Sequence, residues 1–188
     1  MRAGMRRGLS VVAAVVVVVG AALVWWSGLR PGTGTPSGGV PEGAERWVVE
    51  YVHDGDTLSL ERADGGVERV RLIGVDTPEG PGASGSDEPE CGADEAREAL
   101  RRMAPVGAPV WAAADIEERD RYGRALLYVW TQDGTFVNRE LVASGAGEAI
   151  RVGRNDAHYA ALLAAQHDAQ AEGLGIWGMC PEFSGGER

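Results

Sequence analysis

The chain has 188 residues, 44% of them hydrophobic and 24% charged, enough for one domain with a real core plus an extra segment. That balance excludes disorder throughout. The net charge of −10 argues against tight, non-specific duplex binding, which carries a basic footprint. The charge is uneven: residues 1–45 hold four Arg and two Glu, and residues 46–188 hold fourteen Arg against twenty-six Asp and Glu. Lysine is absent, which we read first as a bias of composition. A few arginines and a divalent cation can still make one cleft positive on an acidic body. Weak, salt-sensitive substrate binding is the expectation.

The N-terminus reads as a targeting segment over residues 1–28. Arg2, Arg6 and Arg7 precede an apolar run from Leu9 to Trp26. That run falls between a signal-peptide core of about 7–15 residues and a membrane span of about 20. Trp25-Trp26-Ser27-Gly28 is a poor cleavage context, and the tryptophans suit a membrane interface. An uncleaved signal anchor is expected, with a cleaved signal peptide as the alternative; both place the remainder outside the cytoplasm. Residues 29–45, rich in Gly, Pro, Thr and Ser, read as a flexible linker. The domain is expected over 46–182, with a short tail over 183–188.

Strand patterns open the domain. Trp47–Val52 is rich in β-formers, Thr57–Arg62 follows an Asp-Gly-Asp turn, and Ala63-Asp64-Gly65-Gly66 is a hairpin signal. Val67–Val75 is the return strand, and an acidic loop runs from Gly80 to Cys91. Asp94–Met103 is predicted helical, with acids in its first turn and arginines in its last, as the helix dipole favours. Val110–Ala113 and Ala125–Trp130 are two more strands. Thr135 is a candidate cap for a short helix ending before Gly145. The last helix is expected over Asp156–Glu172, stopped by Gly173. About five short strands with few helices predict an α+β, mainly β fold built on a small closed or partly closed barrel.

Two acidic turns stand out, Asp54-Gly55-Asp56-Thr57 and Asp76-Thr77-Pro78-Glu79. Asp54, Asp56 and Asp76 are candidate ligands of a hard cation, with the Thr77 carbonyl a further oxygen. Glu79 is placed to orient or deprotonate a water. Arg71 and Arg124 are candidates for holding a phosphate through forked hydrogen bonds. Arg71 and Asp76 are five apart and face opposite sides of one straight strand, so a bend near Gly74 is predicted. Together these features suggest metal-assisted cleavage of a phosphodiester. Cys91 and Cys180, outside the cytoplasm, suggest a disulfide.

Several signals carry less. Alone, Asp54-Gly55-Asp56-Thr57 is an ordinary turn, Asp76-Thr77-Pro78-Glu79 a helix-start or turn signal, and Arg121-Tyr122-Gly123-Arg124 a solvated turn. Gly173-Leu174-Gly175-Ile176-Trp177-Gly178 has the spacing of a dinucleotide fingerprint but follows a helix, so it is set aside. His53 is read as a loop histidine, and His158 and His167 as helix residues. Asp87, Glu88 and Glu90 are read as a solvated loop in preference to a second calcium site. Trp47, Trp111 and Trp130 are read as core.

The ordered stretches His53–Thr57, Arg71–Glu79, Asp120–Arg124, Val137-Asn138 with Leu141-Val142, and Gly175-Ile176-Trp177 resemble the staphylococcal-nuclease, or thermonuclease-like, family. The resemblance spans about Trp47 to Trp177. It implies an OB-type five-stranded barrel with three helices and Ca²⁺-dependent cleavage of DNA and RNA that leaves 3′-phosphate ends. It further implies that Asp56, Asp76 and the Thr77 carbonyl hold the metal, with Asp54 in an outer shell. Glu79 matches the residue assigned to the attacking water, Arg71 and Arg124 the phosphate-binding arginines, and Arg121 and Tyr122 the nucleotide contacts. The chain departs from the family at Glu148–Arg154, where two tyrosines that pack on the nucleotide are missing; Arg151 and Arg154 are candidate substitutes. A monomer is expected. The alternatives are a non-catalytic nucleic-acid or protein binding module on the same barrel, and a calcium-stabilised envelope protein.

Overall fold

A computed structural model describes residues 39–82 and 87–181. The expected targeting segment and the tail over 183–188 lie outside the described residues, as does most of the linker. Among the described residues no helix is long and apolar enough to cross a membrane.

Among the described residues, seven strands and four helices follow in order. They are β1 (Glu45–Val52), β2 (Thr57–Glu61), β3 (Val67–Leu72), β4 (Val75–Asp76), α1 (Ala93–Met103), β5 (Pro109–Ala113), β6 (Ala125–Thr131), α2 (Val137–Ala143), β7 (Glu148–Ala149), α3 (Tyr159–Glu172) and α4 (Ile176–Met179). Five strands close a barrel in the order β1-β2-β3-β6-β5, as the pattern predicts. Only the β3–β6 pair is parallel, and β3 reaches β6 through a crossover that carries α1. Alternation along each strand sends Val49, Leu58, Leu60, Val70, Leu72, Val110, Leu127 and Val129 into one core, which α1, α2 and α3 cap with Leu100, Leu141 and Leu162. Burying each such side chain contributes about 1.5–3 kcal/mol.

The outward face of β6 is also apolar. Leu126, Tyr128 and Trp130 form a second cluster with Ile73, and Phe136 stacks on Trp130 at 4.8 Å. Trp47 and Trp130 are core residues as predicted, whereas Trp111 is partly buried against the second cluster.

The return strand expected over 67–75 is broken. β3 ends at Leu72, and Gly74 turns with φ +81 before β4 begins. A Cβ there would lie 2.4 Å from Leu162 Cδ1, so glycine serves both the bend and the packing. The predicted bend is therefore present. β4 then leaves the barrel to pair with β7.

Two helix starts need correction. Thr135 does not cap α2; its N–H donates to Thr131 Oγ1, and the cap position is Phe136, with no side-chain bond. Local bonding inside the β6–α2 turn outcompetes capping. α3 starts at Tyr159, because Asp156 and Ala157 are held in a turn whose Ala157 N–H donates to Asp115 Oδ2.

Cys91 and Cys180 are joined in a disulfide across a separation of 89 residues. It ties the start of α1 to the end of α4, beside the small cluster of Ala169, Ile176 and Trp177.

Candidate active site

The first acidic turn is built from its own side chain. Asp54 Oδ1 accepts the Asp56 N–H at 3.1 Å, and the His53 and Asp54 N–H groups both donate to the Thr57 carbonyl. This fixes the entry to β2. Gly55 lets the turn dock. A Cβ at that position would stand 2.6 Å from Ala96 Cβ and 2.7 Å from Thr77 Oγ1. The close approach brings the two acidic turns together, although they are far apart along the chain.

Asp56 is the centre of the site, only 2% exposed. Its Oδ2 accepts the Thr77 N–H at 3.0 Å and the Thr77 hydroxyl at 3.2 Å, and its Oδ1 accepts the Thr57 hydroxyl at 3.0 Å. The Arg71 guanidinium forms an ion pair with the same Oδ2. Burial pushes the Asp56 carboxyl up to about 7 against the pull of Arg71, and Asp54 and Asp76 add to the rise.

Arg71 bridges the site. One Nη donates to Asp76 Oδ1 at 2.7 Å, and the other to the Val75 carbonyl at 2.7 Å. The Gly74 bend makes this possible, since it swings Asp76 back to the face on which Arg71 stands. Arg71 is 9% exposed and its guanidinium is engaged with two carboxylates and a carbonyl, so little of it is open to an anion.

Glu79 is half-buried beside these groups. Burial, then the charge of Asp54, raises its carboxyl above the usual range, against the pull of Arg71. Its backbone is clamped by Glu90, an exposed residue of the acidic loop. Glu90 Oε2 accepts the Glu79 N–H at 2.9 Å, and the Glu90 N–H donates to the Glu79 carbonyl at 2.9 Å. Cys91, the next residue, anchors this clamp to Cys180.

Arg124 approaches from the start of β6. Its Nε donates to Asp120 Oδ2 at 2.7 Å, and one Nη reaches Thr57 Oγ1 at 3.5 Å. Asp120 also accepts the backbone N–H groups of Tyr122 and Arg124. Burial alone would raise the Asp120 carboxyl, but the Arg124 side chain and these N–H groups hold it below the usual range. Asp120 is thus the residue that aims Arg124, a role not assigned from sequence. An Asp four residues ahead of an Arg in a turn is the signal that would have found it.

Arg121 and Tyr122 flank Arg124 in the open. The Arg121 guanidinium lies 4.7 Å over the Tyr122 ring and donates to its hydroxyl, and Tyr122 is 69% exposed. Arg151 stands apart from the carboxylates; its guanidinium covers Tyr159 at 4.6 Å and lies 4.0 Å from Asp156. Arg154 pairs with Glu117.

The donors offered to a cation are all oxygens, which fits a hard ion such as Ca²⁺ or Mg²⁺. Asp56 and Asp76 already converge on one positive group, the Arg71 guanidinium. Among the described residues no three His, Cys, Asp or Glu side chains are grouped to hold a metal. A cation here would rest on two carboxylates plus carbonyl or water oxygens.

The comparisons agree with this geometry. The family described as staphylococcal nuclease homologue matches residues 69–179. The thermonuclease of Staphylococcus intermedius is 37% identical over 133 residues, covering 71% of this chain and 76% of that protein. The thermonuclease of Staphylococcus hyicus is 31% identical over 170 residues, covering 90% and 95%. The endonuclease YhcR of Bacillus subtilis (strain 168) is 30% identical over 141 residues, covering 72% of this chain but 12% of that longer protein. Barrel, paired acidic turns and aligned relatives lead to one assignment: this chain belongs to the staphylococcal nuclease family, and it is a nuclease.

Proposed function

We propose that the chain is a Ca²⁺-dependent nuclease that acts outside the cytoplasm on DNA or RNA and leaves 3′-phosphate ends. The observation that carries this reading is the convergence of Asp56, Asp76 and Arg71 at the mouth where Arg124 reaches Thr57. Asp56, Asp76 and the Thr77 carbonyl are assigned to the cation, with Asp54 behind them. Bound there, the cation would neutralise charge on the phosphate and draw the substrate to the carboxylates.

The chain's own groups account for the rest. Arg71 and Arg124 hold the non-bridging oxygens and stabilise the charge that grows on them in the transition state. Glu79 takes a proton from the water whose oxygen attacks phosphorus. The bond from phosphorus to the 5′ oxygen breaks, and that oxygen leaves with a proton from solvent. The Glu90 clamp fixes where the Glu79 carboxylate can reach. Arg121 and Tyr122 are assigned to the nucleotide beside Arg124, and Arg151 to a more distant phosphate.

The disulfide supports an oxidising compartment. The arginine-led apolar segment over residues 1–28 supports export with a membrane tether, or secretion where it is cleaved. End-group analysis tests the chemistry. Single-stranded DNA digested by the full chain in Ca²⁺ yields fragments that a polymerase extends only after phosphatase treatment. Fragments that extend without it would contradict the assigned bond.

A further inference from the structure

Most described arginines of this acidic domain are held by a carboxylate, including Arg62, Arg71, Arg119, Arg124 and Arg154. Arg69 is exposed, and no described carboxylate pairs with it. It stands on β3 two residues before Arg71. Val70 and Leu72 point into the barrel, so Arg69 and Arg71 share the outer face, about 6.7 Å apart along the strand. The parallel β3–β6 register pairs Val70 with Ala125, which puts Arg124, one step back and just before β6, level with Arg69. Arg71 and Arg124 are held by Asp56, Asp76 and Asp120, so of the three Arg69 is the one open to take an anion.

The row continues across the sheet. Arg69 is opposite Ser59 on β2, and Ser59 is opposite Tyr51 on β1. His53 hydrogen-bonds to Ser59 through Nε2 at 2.8 Å, and its ring meets the Tyr51 ring edge-on at 4.9 Å. Tyr51 is 51% exposed, so one side of its ring is open to solvent. A basic track beside an aromatic surface is how proteins bind single strands without sequence preference.

We propose that Arg69, Tyr51 and His53 form a subsite for the nucleotide next to the scissile one in a single-stranded substrate, Arg69 taking the flanking phosphate and the Tyr51–His53 pair stacking with its base. The proposal rests on the nuclease reading. It extends the site from Arg71 to Arg69 and across the sheet to β2 and β1, and it supplies an aromatic platform to a chain that has none at Glu148–Arg154.

The test compares kcat/KM of the full chain on an oligodeoxynucleotide of about twelve nucleotides with that on a dinucleotide, which ends before the subsite. In Tyr51→Ala and Arg69→Gln the long-to-short ratio falls about tenfold, and Tyr51→Phe restores it. In Arg69→Gln the salt dependence on the long strand weakens by about 0.7 in log–log slope. A ratio and a slope equal to wild type in both variants would overturn the subsite while leaving the nuclease intact. If the wild-type chain cleaves neither substrate, the nuclease reading falls instead. Fluorescence anisotropy of the labelled long strand then decides the subsite: weaker binding in both variants supports it, and unchanged binding rejects it.

Discussion

Replacing Asn138 with alanine removes two buried hydrogen bonds at once. The side chain is fully buried in the first turn of α2. Its Oδ1 accepts the Val129 N–H at 2.9 Å, and its Nδ2 donates to the Ile73 carbonyl at 2.8 Å. Alanine leaves both backbone groups without a partner where bulk water does not reach. Each buried orphan costs about 1–3 kcal/mol, so the pair costs about 2–6 kcal/mol. That is a large share of a total of about 5–15 kcal/mol. Ile73 precedes Gly74, so the same bond pins the bend that turns Asp76 toward Arg71. Loss of activity should therefore exceed the loss of folded protein. Urea denaturation of the full chain measures the first effect, and cleavage rate at a temperature where the variant remains folded measures the second. Arg139→Ala, at the exposed neighbouring position, is the control and should stay within about 0.5 kcal/mol. A midpoint shift in Asn138→Ala worth less than about 1 kcal/mol would refute the reasoning.

Other outcomes follow from the same structure. Reducing Cys91–Cys180 releases a loop of 89 residues and should lower stability by about 4–5 kcal/mol on the chain-entropy model, without abolishing cleavage at low temperature; equal denaturation midpoints for the two redox forms would refute this. His158, packed among Tyr128, Trp130 and Phe136, has its imidazole held below the usual range by burial. Its neutral form is the one the fold favours, so its contribution is complete above the unfolded value of about 6.5 and is lost as pH falls through the folded value. His158→Asn should flatten that part of the stability–pH curve. Gly74→Ala meets both the positive φ and Leu162, and should cost about 1–3 kcal/mol by thermal unfolding. Asp56→Ala should lose calcium binding, measured by calorimetry, together with cleavage; binding that survives would move the cation elsewhere.

Much of the barrel was legible because runs of β-formers bounded by turn signals are a local signal. The Gly74 bend was legible from parity alone, since Arg71 and Asp76 cannot otherwise face one point. The residues that organise the site were harder to read. Asn138 acts on Ile73 from 65 residues away, and Glu90 acts on Glu79 across an acidic loop. Their partners are backbone groups, which leave no side-chain pattern to match. Asp120 was in view as part of a motif, but its role appears only when its carboxylate is seen gathering Arg124. The β4–β7 pair is two residues long on each strand, too short to show periodicity. The Thr135 cap failed for the opposite reason: a valid local signal lost to a competing local bond.

We propose that Arg124, aimed by Asp120 toward Thr57 beside Asp56, makes this barrel a calcium-dependent nuclease. The most direct measurement is cleavage of single-stranded DNA by the full, oxidised chain at low salt, in Ca²⁺ and in EGTA, beside Arg124→Ala. The account predicts cleavage in Ca²⁺ alone, lost in Arg124→Ala while the fold and calcium binding persist. Calcium binding without cleavage of DNA or RNA by the wild-type chain would contradict it.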